Sequence, residues 1–358
     1  MVVSCVALAG VMAALRARSA RPASLTGGLL GRPLRVGIVS WPGYAGGIVA
    51  NNGFKPNTRC TFWRHKLLVE FVLLEDVETR AKAFSRGGGD GVDVVWSTVD
   101  FWAYELPGFL KGGVPARAVM QVDWSRGGDA IVAAGSVQRV EDLKNKRISL
   151  ALFTPSHWLL ESALRASTLS DADQLRIAKT LIGKSASPDA RADFVAGKVD
   201  AAVVWEPDVT EALRKRADAR ILVSTATAKN LIADLMVARE DFIAAHAAVI
   251  RAFVQGWLEG AVAANKDRAL AARLLMENEP VYKDLGPEAT EDGLTKVRLA
   301  ELEDNIQTFG LQGSGEPVFD RIFQDAGEAW VKHGYIDAAV PAAAAKDDRF
   351  VREMLPAR

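Results

Sequence analysis

One block occurs twice in this chain of 358 residues. A run from Leu34 through Val-Gly-Ile-Val-Ser ends at Trp41-Pro-Gly-Tyr44, and downstream come Phe84-Ser-Arg-Gly87 and Val-Asp93-Val-Val-Trp96-Ser-Thr98. From Arg147 the pattern returns. Ile-Ser-Leu-Ala-Leu-Phe ends at Thr154-Pro-Ser156-His157-Trp158, followed by Phe194-Val-Ala-Gly197 and Val-Asp200-Ala-Ala-Val-Val-Trp205-Glu206-Pro207. Each copy reads as a short apolar strand that stops at Ser, Thr, Pro or Trp where a helical pattern begins. Two α/β lobes are therefore expected, and in open α/β sheets ligands sit outside the carboxyl ends of the strands. Two such lobes facing each other make a cleft.

The length fits two lobes of ordinary size. With 49% hydrophobic and 25% charged residues the chain can bury a sizeable core. A formal net charge of zero removes any bulk electrostatic case for nucleic-acid binding. Of nine Trp residues, Trp41, Trp96, Trp102, Trp124, Trp158 and Trp205 fall in or beside strand ends, as packing residues or as ligand walls. Two Cys residues, Cys5 and Cys60, form no CxxC or Cys/His pattern, so no zinc site or disulfide framework is expected. No cofactor is expected either.

Val2 to Leu15 is an apolar run followed by Arg16, Arg18 and Ala20. It is shorter than the roughly 20 residues of a bilayer-spanning helix and has the length of a signal-peptide core, so residues 1–30 are expected to be an export leader or unstructured. No Lys or Arg precedes the run.

Strands are predicted over residues 68–74, 92–96, 118–122, 129–134 and 231–238, with Gly87 to Gly91 as a turn; no Gly-Lys-Ser or Gly-Lys-Thr follows it to make a phosphate loop. The extended segments around Asp123–Gly128 and Asp234 flank the second copy and are the natural crossings between lobes. Residues 34–123 and 235–358 are thus assigned to a discontinuous first lobe, and residues 124–234 to the second. Val249, Phe253 and Trp257, and Phe319, Ile322, Phe323, Ala326 and Trp330, make helical stripes wide enough to be core faces.

These pieces resemble the periplasmic solute-binding proteins of ABC transporters, in the family serving nitrate, taurine and aliphatic sulfonates. The resemblance rests on Leu34 to Tyr44, Val92 to Asp100, Gly127-Gly-Asp129-Ala-Ile-Val132, Val140-Glu-Asp-Leu-Lys-Asn-Lys146 and Val199 to Pro207. It implies a two-lobed α/β clamp of the second periplasmic-binding-protein type, with a mixed sheet in each lobe. Such a clamp closes by a hinge in two crossing segments around one small anionic or zwitterionic solute and presents it to a membrane permease. The implied protein is a periplasmic monomer that meets the membrane only through the permease or an anchor.

Helix amino termini after Trp41, Thr98 and Thr154 would direct N–H groups into the cleft. Ser97, Thr98, Thr154 and Ser156 are hydroxyl donors to a ligand or helix caps; His157 is an anion donor or a packed ring. Asp100, Asp129, Glu206 and Asp234 either complement helix dipoles or, with Trp41, Tyr44, Trp124, Trp158 and Trp205, hold the cationic end of a solute. Two rival readings share the fold. One is an enzyme like the thiamine-pyrimidine synthases, whose Cys-rich motif is missing here, or like a menaquinone-pathway dehydratase. The other is a ligand-sensing clamp.

Overall fold

The computed structural model describes residues 28–313 and 315–355; the expected leader lies outside them apart from residues 28–30. The eleven strands among the described residues are β1 (Leu34–Ile38), β2 (Val69–Leu73), β3 (Val94–Thr98), β4 (Ala116–Ser125), β5 (Asp129–Ala133), β6 (Ile148–Ala151), β7 (Ile182–Lys184), β8 (Ala201–Trp205), β9 (Arg220–Ser224), β10 (Ala233–Arg239) and β11 (Val297–Leu299). They form a six-stranded sheet, β11-β4-β10-β3-β1-β2, and a five-stranded sheet, β7-β6-β8-β5-β9. Both are mixed and flanked by helices.

The duplicated sequence becomes a duplicated topology. In the first sheet β1 pairs in parallel with β2 and β3; in the second, β6 pairs in parallel with β7 and β8. Next to β3 lies antiparallel β10, and next to β8 lies antiparallel β5, each having just entered from the other lobe. The Arg–Asp pair of each copy occupies the same place. Arg35 N–H donates to Asp93 Oδ2 (3.0 Å) and Asp93 N–H to Arg35 O (2.8 Å). Arg147 and Asp200 repeat this at 2.9 and 2.9 Å. A carboxylate that caps the first strand's edge fixes the register of the parallel pair.

Alternation decides where each sheet is buried. On the second sheet Ile131, Ala133, Ala201, Val203 and Trp205 join the large core shared with the first lobe. Their neighbours Ala130, Val132, Ala202 and Val204 pack on Phe194, Val209 and Ala212 in a separate small core. The two long stripes read from sequence are the helices Ala247–Lys266 and Val318–Lys332, with Phe253, Trp257, Phe319 and Trp330 fully buried.

The crossings are residues 126–128 and 225–232, stitched to each other at the hinge. Ser125 Oγ and Thr225 Oγ1 lie 2.6 Å apart, Gly127 N–H donates to Thr225 Oγ1 (2.8 Å), and Ser125 N–H donates to Ile232 O (3.1 Å). β4 is longer than the sequence pattern predicts, and β10 begins at Ala233, two residues later than predicted. They run from the first sheet to the hinge itself, so the crossing proper is only a few residues.

Candidate functional site

The turn after β1, strands β3, β5, β8 and β10 and the first residue of the helix Pro155–Ala166 carry the side chains that meet between the lobes. A cavity there is lined by Val39, Trp41, Tyr44, Trp96 and Asp234 from the first lobe and Asp129, Pro155 and Trp205 from the second. It is tightly closed: space for the centre of a water-sized molecule is ≈ 10 Å³, about enough for one water. Trp96 and Trp205 meet edge to face across it with centroids 6.1 Å apart. Gly128 in the hinge lets Trp41 close down, since a Cβ there would stand 2.3 Å from the indole ring. A larger groove of ≈ 620 Å³ is lined by residues between Gln138 and Leu231. It lies on the second lobe and its crossing, so closure between lobes cannot act on it.

Strand pairing assembles the acids. Asp234 on β10 stands opposite Thr98 of β3 on one side and Asp123 of β4 on the other. Asp129, first residue of β5, stands opposite Trp205. Tyr44 Oη donates to Asp234 Oδ2 (2.7 Å) and Trp41 Nε1 donates to Asp123 Oδ2 (2.8 Å). Gly43 permits that second approach, because a Cβ would fall 1.6 Å from Asp123 Oδ2. The remaining oxygens, Asp123 Oδ1, Asp129 Oδ1 and both of Asp100, are buried without hydrogen-bond partners, as is Trp96 Nε1.

Taking these carboxyls out of water favours their neutral form. Burial pushes Asp100 and Asp123 up to about 8 and Asp129 up to about 7, and raises Asp234 well above the usual carboxylate range, with the charge of Asp123 adding to the rise. Nearby cations are already engaged. Lys296 bonds Glu206 (2.6 Å) across the lobe boundary and pairs with Asp292 (2.8 Å). Arg80 is fully buried, pairs with Glu105 (2.5 Å), and places its guanidinium 4.7 Å from the Trp96 ring centre. Arg126 bonds Asn230 and lies over Trp124.

Of the residues singled out from sequence, Trp41, Tyr44, Asp129, Trp205 and Asp234 line the cavity. Asp100 lies beside them in the first turn of the helix Val99–Lys111, which Thr98 caps through Phe101 N–H (3.3 Å). The others serve elsewhere. Ser97 faces away and donates to Glu105 (2.9 Å). Thr154 donates to Ala151 O (2.8 Å) and Ser156 is buried with its hydroxyl unpartnered. Glu206 is held by Lys296 and Thr210.

His157 and Trp158 turn into an aromatic wedge rather than the cavity. The His157 ring lies 5.2 Å from Trp330 and 5.5 Å from Tyr335, and burial lowers its pKa to about 4. Trp158 packs on Trp330 and under Arg165. Trp124 is displaced by parity: adjacent strand residues face opposite sides, and it is Asp123 that reaches Trp41. Asp123, Val39 and Pro155 were not among the sequence candidates, and Trp96 was named only as a strand-end packing residue or ligand wall. The alternation along β4 is the signal that could have exchanged Trp124 for Asp123.

The fold and the interlobe cavity define a class, the two-lobed periplasmic-binding-protein fold. Residues 113–269, the span from before β4 through the second lobe to the helix Ala247–Lys266, match the family model described as NMT1/THI5 like. Among solved structures, the periplasmic aliphatic sulphonate binding protein SsuA from Escherichia coli matches at 17% identity and TM-score 0.66, covering 89% of this chain and 99% of its own. The alkanesulfonate-binding protein SsuA from Xanthomonas axonopodis pv. citri, bound to MOPS, matches at 17% and 0.64, covering 87% and 97%. The nitrate-binding protein NrtA from Synechocystis PCC 6803 matches at 12% and 0.66, covering 90% and 87%. Nothing among curated protein sequences matches significantly.

Proposed function

We propose that this protein is the solute-capturing component of an importer: a clamp that closes on one small organic solute outside the cytoplasmic membrane and delivers it to a membrane permease. The observation that carries this reading is a cavity built from both lobes at the carboxyl ends of their strands, sealed by Trp205 from one side and Trp41, Tyr44 and Trp96 from the other. A ligand touching both faces stabilises the closed form by its differential affinity for that form, and needs no covalent chemistry. With so little space inside, entry requires the lobes to part about residues 126–128 and 225–232.

The solved neighbours are sulfonate- and nitrate-binding proteins, which supports binding rather than catalysis. Among the described residues no helix is long and apolar enough to cross a membrane, which fits delivery to a separate permease. The sulfonate, taurine and nitrate types implied by the resemblance define the first panel to test, together with amines and pyrimidines. Thermal shift with each compound should yield one hit, accompanied by compaction in small-angle scattering and abolished in Trp205→Ala. Turnover of a compound, or a hit unaffected by Trp205→Ala, would refute the clamp reading.

A further inference from the structure

The chemistry of the cavity selects among solutes. Four buried carboxyls, Asp100, Asp123, Asp129 and Asp234, lie at its wall or directly behind it, and no residue lining it is cationic. Buried polar atoms are nearly always hydrogen-bonded, yet Asp123 Oδ1, Asp129 Oδ1 and both Asp100 oxygens have no partner. Asp129 is itself a lining residue with 2% exposure, so its unpartnered oxygen belongs to the cavity. Once ionised these oxygens only accept, and a cation entering among them both supplies donors and draws the carboxyls into the ionised form.

The rest of the wall is aromatic: Trp41, Tyr44, Trp96 and Trp205. Ring faces attract cations, most strongly when water is excluded. Arg80 already occupies one face of Trp96, but Trp205 and Trp41 carry no such partner among the described residues. A sulfonate or nitrate placed here would meet unpartnered carboxyl oxygens with no cationic residue in the lining to offset them, which discriminates against anions once those carboxyls are ionised. Nor do the carboxyls gather as a metal site; among the described residues no group of three His, Cys, Asp or Glu is arranged to hold a metal ion.

We infer that the solute is an organic cation bearing several N–H donors, an ammonium, amidinium or guanidinium group, whose donors reach the carboxyls of Asp129 and Asp234 at the cavity wall while its charge lies against Trp41 and Trp205. This inference rests on the clamp reading and names the cargo class of the same cavity. A quaternary ammonium satisfies the rings but not the acceptors, so donor count separates it from the proposed class.

The test is isothermal titration of the full-length protein at pH 8 with benzamidine, its neutral isostere benzamide, phenyltrimethylammonium, benzenesulfonate and taurine. Benzamidine should bind at least tenfold tighter than benzamide and phenyltrimethylammonium, benzenesulfonate should not bind, and Asp129→Asn should cost at least tenfold toward benzamidine. Asp129→Asn keeps the side-chain volume, and an unchanged melting temperature shows that the variant is folded. If benzenesulfonate or taurine binds tightest and Trp205→Ala abolishes it, the clamp stands and the cation assignment is overturned. If no probe of either charge binds, both are overturned.

Discussion

The two lobes are copies in topology and opposites in what they bring to the cavity. Each has the sequence-repeated trio, β2-β1-β3 or β7-β6-β8, and each receives an antiparallel strand from its partner beside the third. Their strand ends diverge. After β3 the chain reads Val99-Asp100 into a helix, and β10 and β4 add Asp234 and Asp123; after β8 it reads Glu206-Pro207, and Glu206 is spent on Lys296. The first lobe therefore supplies three of the four buried acids, and the second supplies Asp129 and the Trp205 cover. A duplicated scaffold fixes where the cleft is. The side chains at the strand ends decide what it can hold.

The lobes also differ in how they are cored. The first shares one continuous core with the inner face of the second sheet, whereas the outer face of that sheet has its own small cluster around Phe194. Phe194→Ala should cost about 3–5 kcal/mol and, in hydrogen exchange, raise exchange in β5, β6 and β8 first. Uniform loss of protection across both sheets would show that the lobes unfold as a single unit.

The charge asymmetry predicts the next largest effect. Asp234→Asn should weaken binding of a cationic ligand roughly 10- to 150-fold, the loss of a charge-assisted contact worth about 1.5–3 kcal/mol. Thermal stability without ligand should be unchanged or higher, because a buried ionisable group is removed. Weaker binding together with a large fall in melting temperature would mean that Asp234 is structural, through its bond to Tyr44.

A pH titration sharpens the same point. Unfolded carboxyls lose their protons near pH 4, whereas Asp100, Asp123 and Asp129 hold theirs to about 8, 8 and 7 in the folded state. Over that window the unfolded state binds fewer protons, so stability falls as pH rises. His157, lowered to about 4, works the other way only below its unfolded value near 6.5. The melting temperature should therefore drop between pH 6.5 and 8.5, and a bound cation should suppress the drop while binding more tightly at the alkaline end. A flat or rising profile across that range would contradict the acidic cavity.

The smallest expected effect lies in the wedge that joins the lobes. Phe153, held at a φ of +68°, stacks on Tyr104 with centroids 4.1 Å apart and meets Tyr335 edge-on at 5.1 Å. A bulky side chain at positive φ is costly, and the interlobe stack offsets that cost. Phe153→Ala should weaken ligand binding about two- to tenfold, as expected for an aromatic pair worth about 0.5–1.5 kcal/mol, with faster release in stopped-flow fluorescence. A change in association rate alone would place the effect outside closure.

Much of this architecture was legible in the chain. Hydrophobic runs ending at Trp41, Thr98, Thr154 and Trp205 mark strand ends, and their repetition marks two lobes, because strand, turn and helix signals are local. Trp41, Tyr44, Asp129, Trp205 and Asp234 could be named for the same reason: they sit at or just beyond the ends of strands, Trp41, Tyr44 and Trp205 where one stops and Asp129 and Asp234 where one starts. Trp124, Trp158 and His157 sit beside strand ends too but point into packing. Asp123 escaped because its partners, Trp41 and Asp234, are distant in sequence.

The sequence by itself determined the duplicated α/β lobes and the strand-end positions, since each follows from periodicity and turn chemistry within a few residues. Only the tertiary structure decided that Asp129 and Asp234 line one interlobe cavity with Asp100 and Asp123 buried beside it and no cation in its lining. Sheet register and lobe closure bring those groups together, and the electrostatic cost of burying them exists only once water has been excluded.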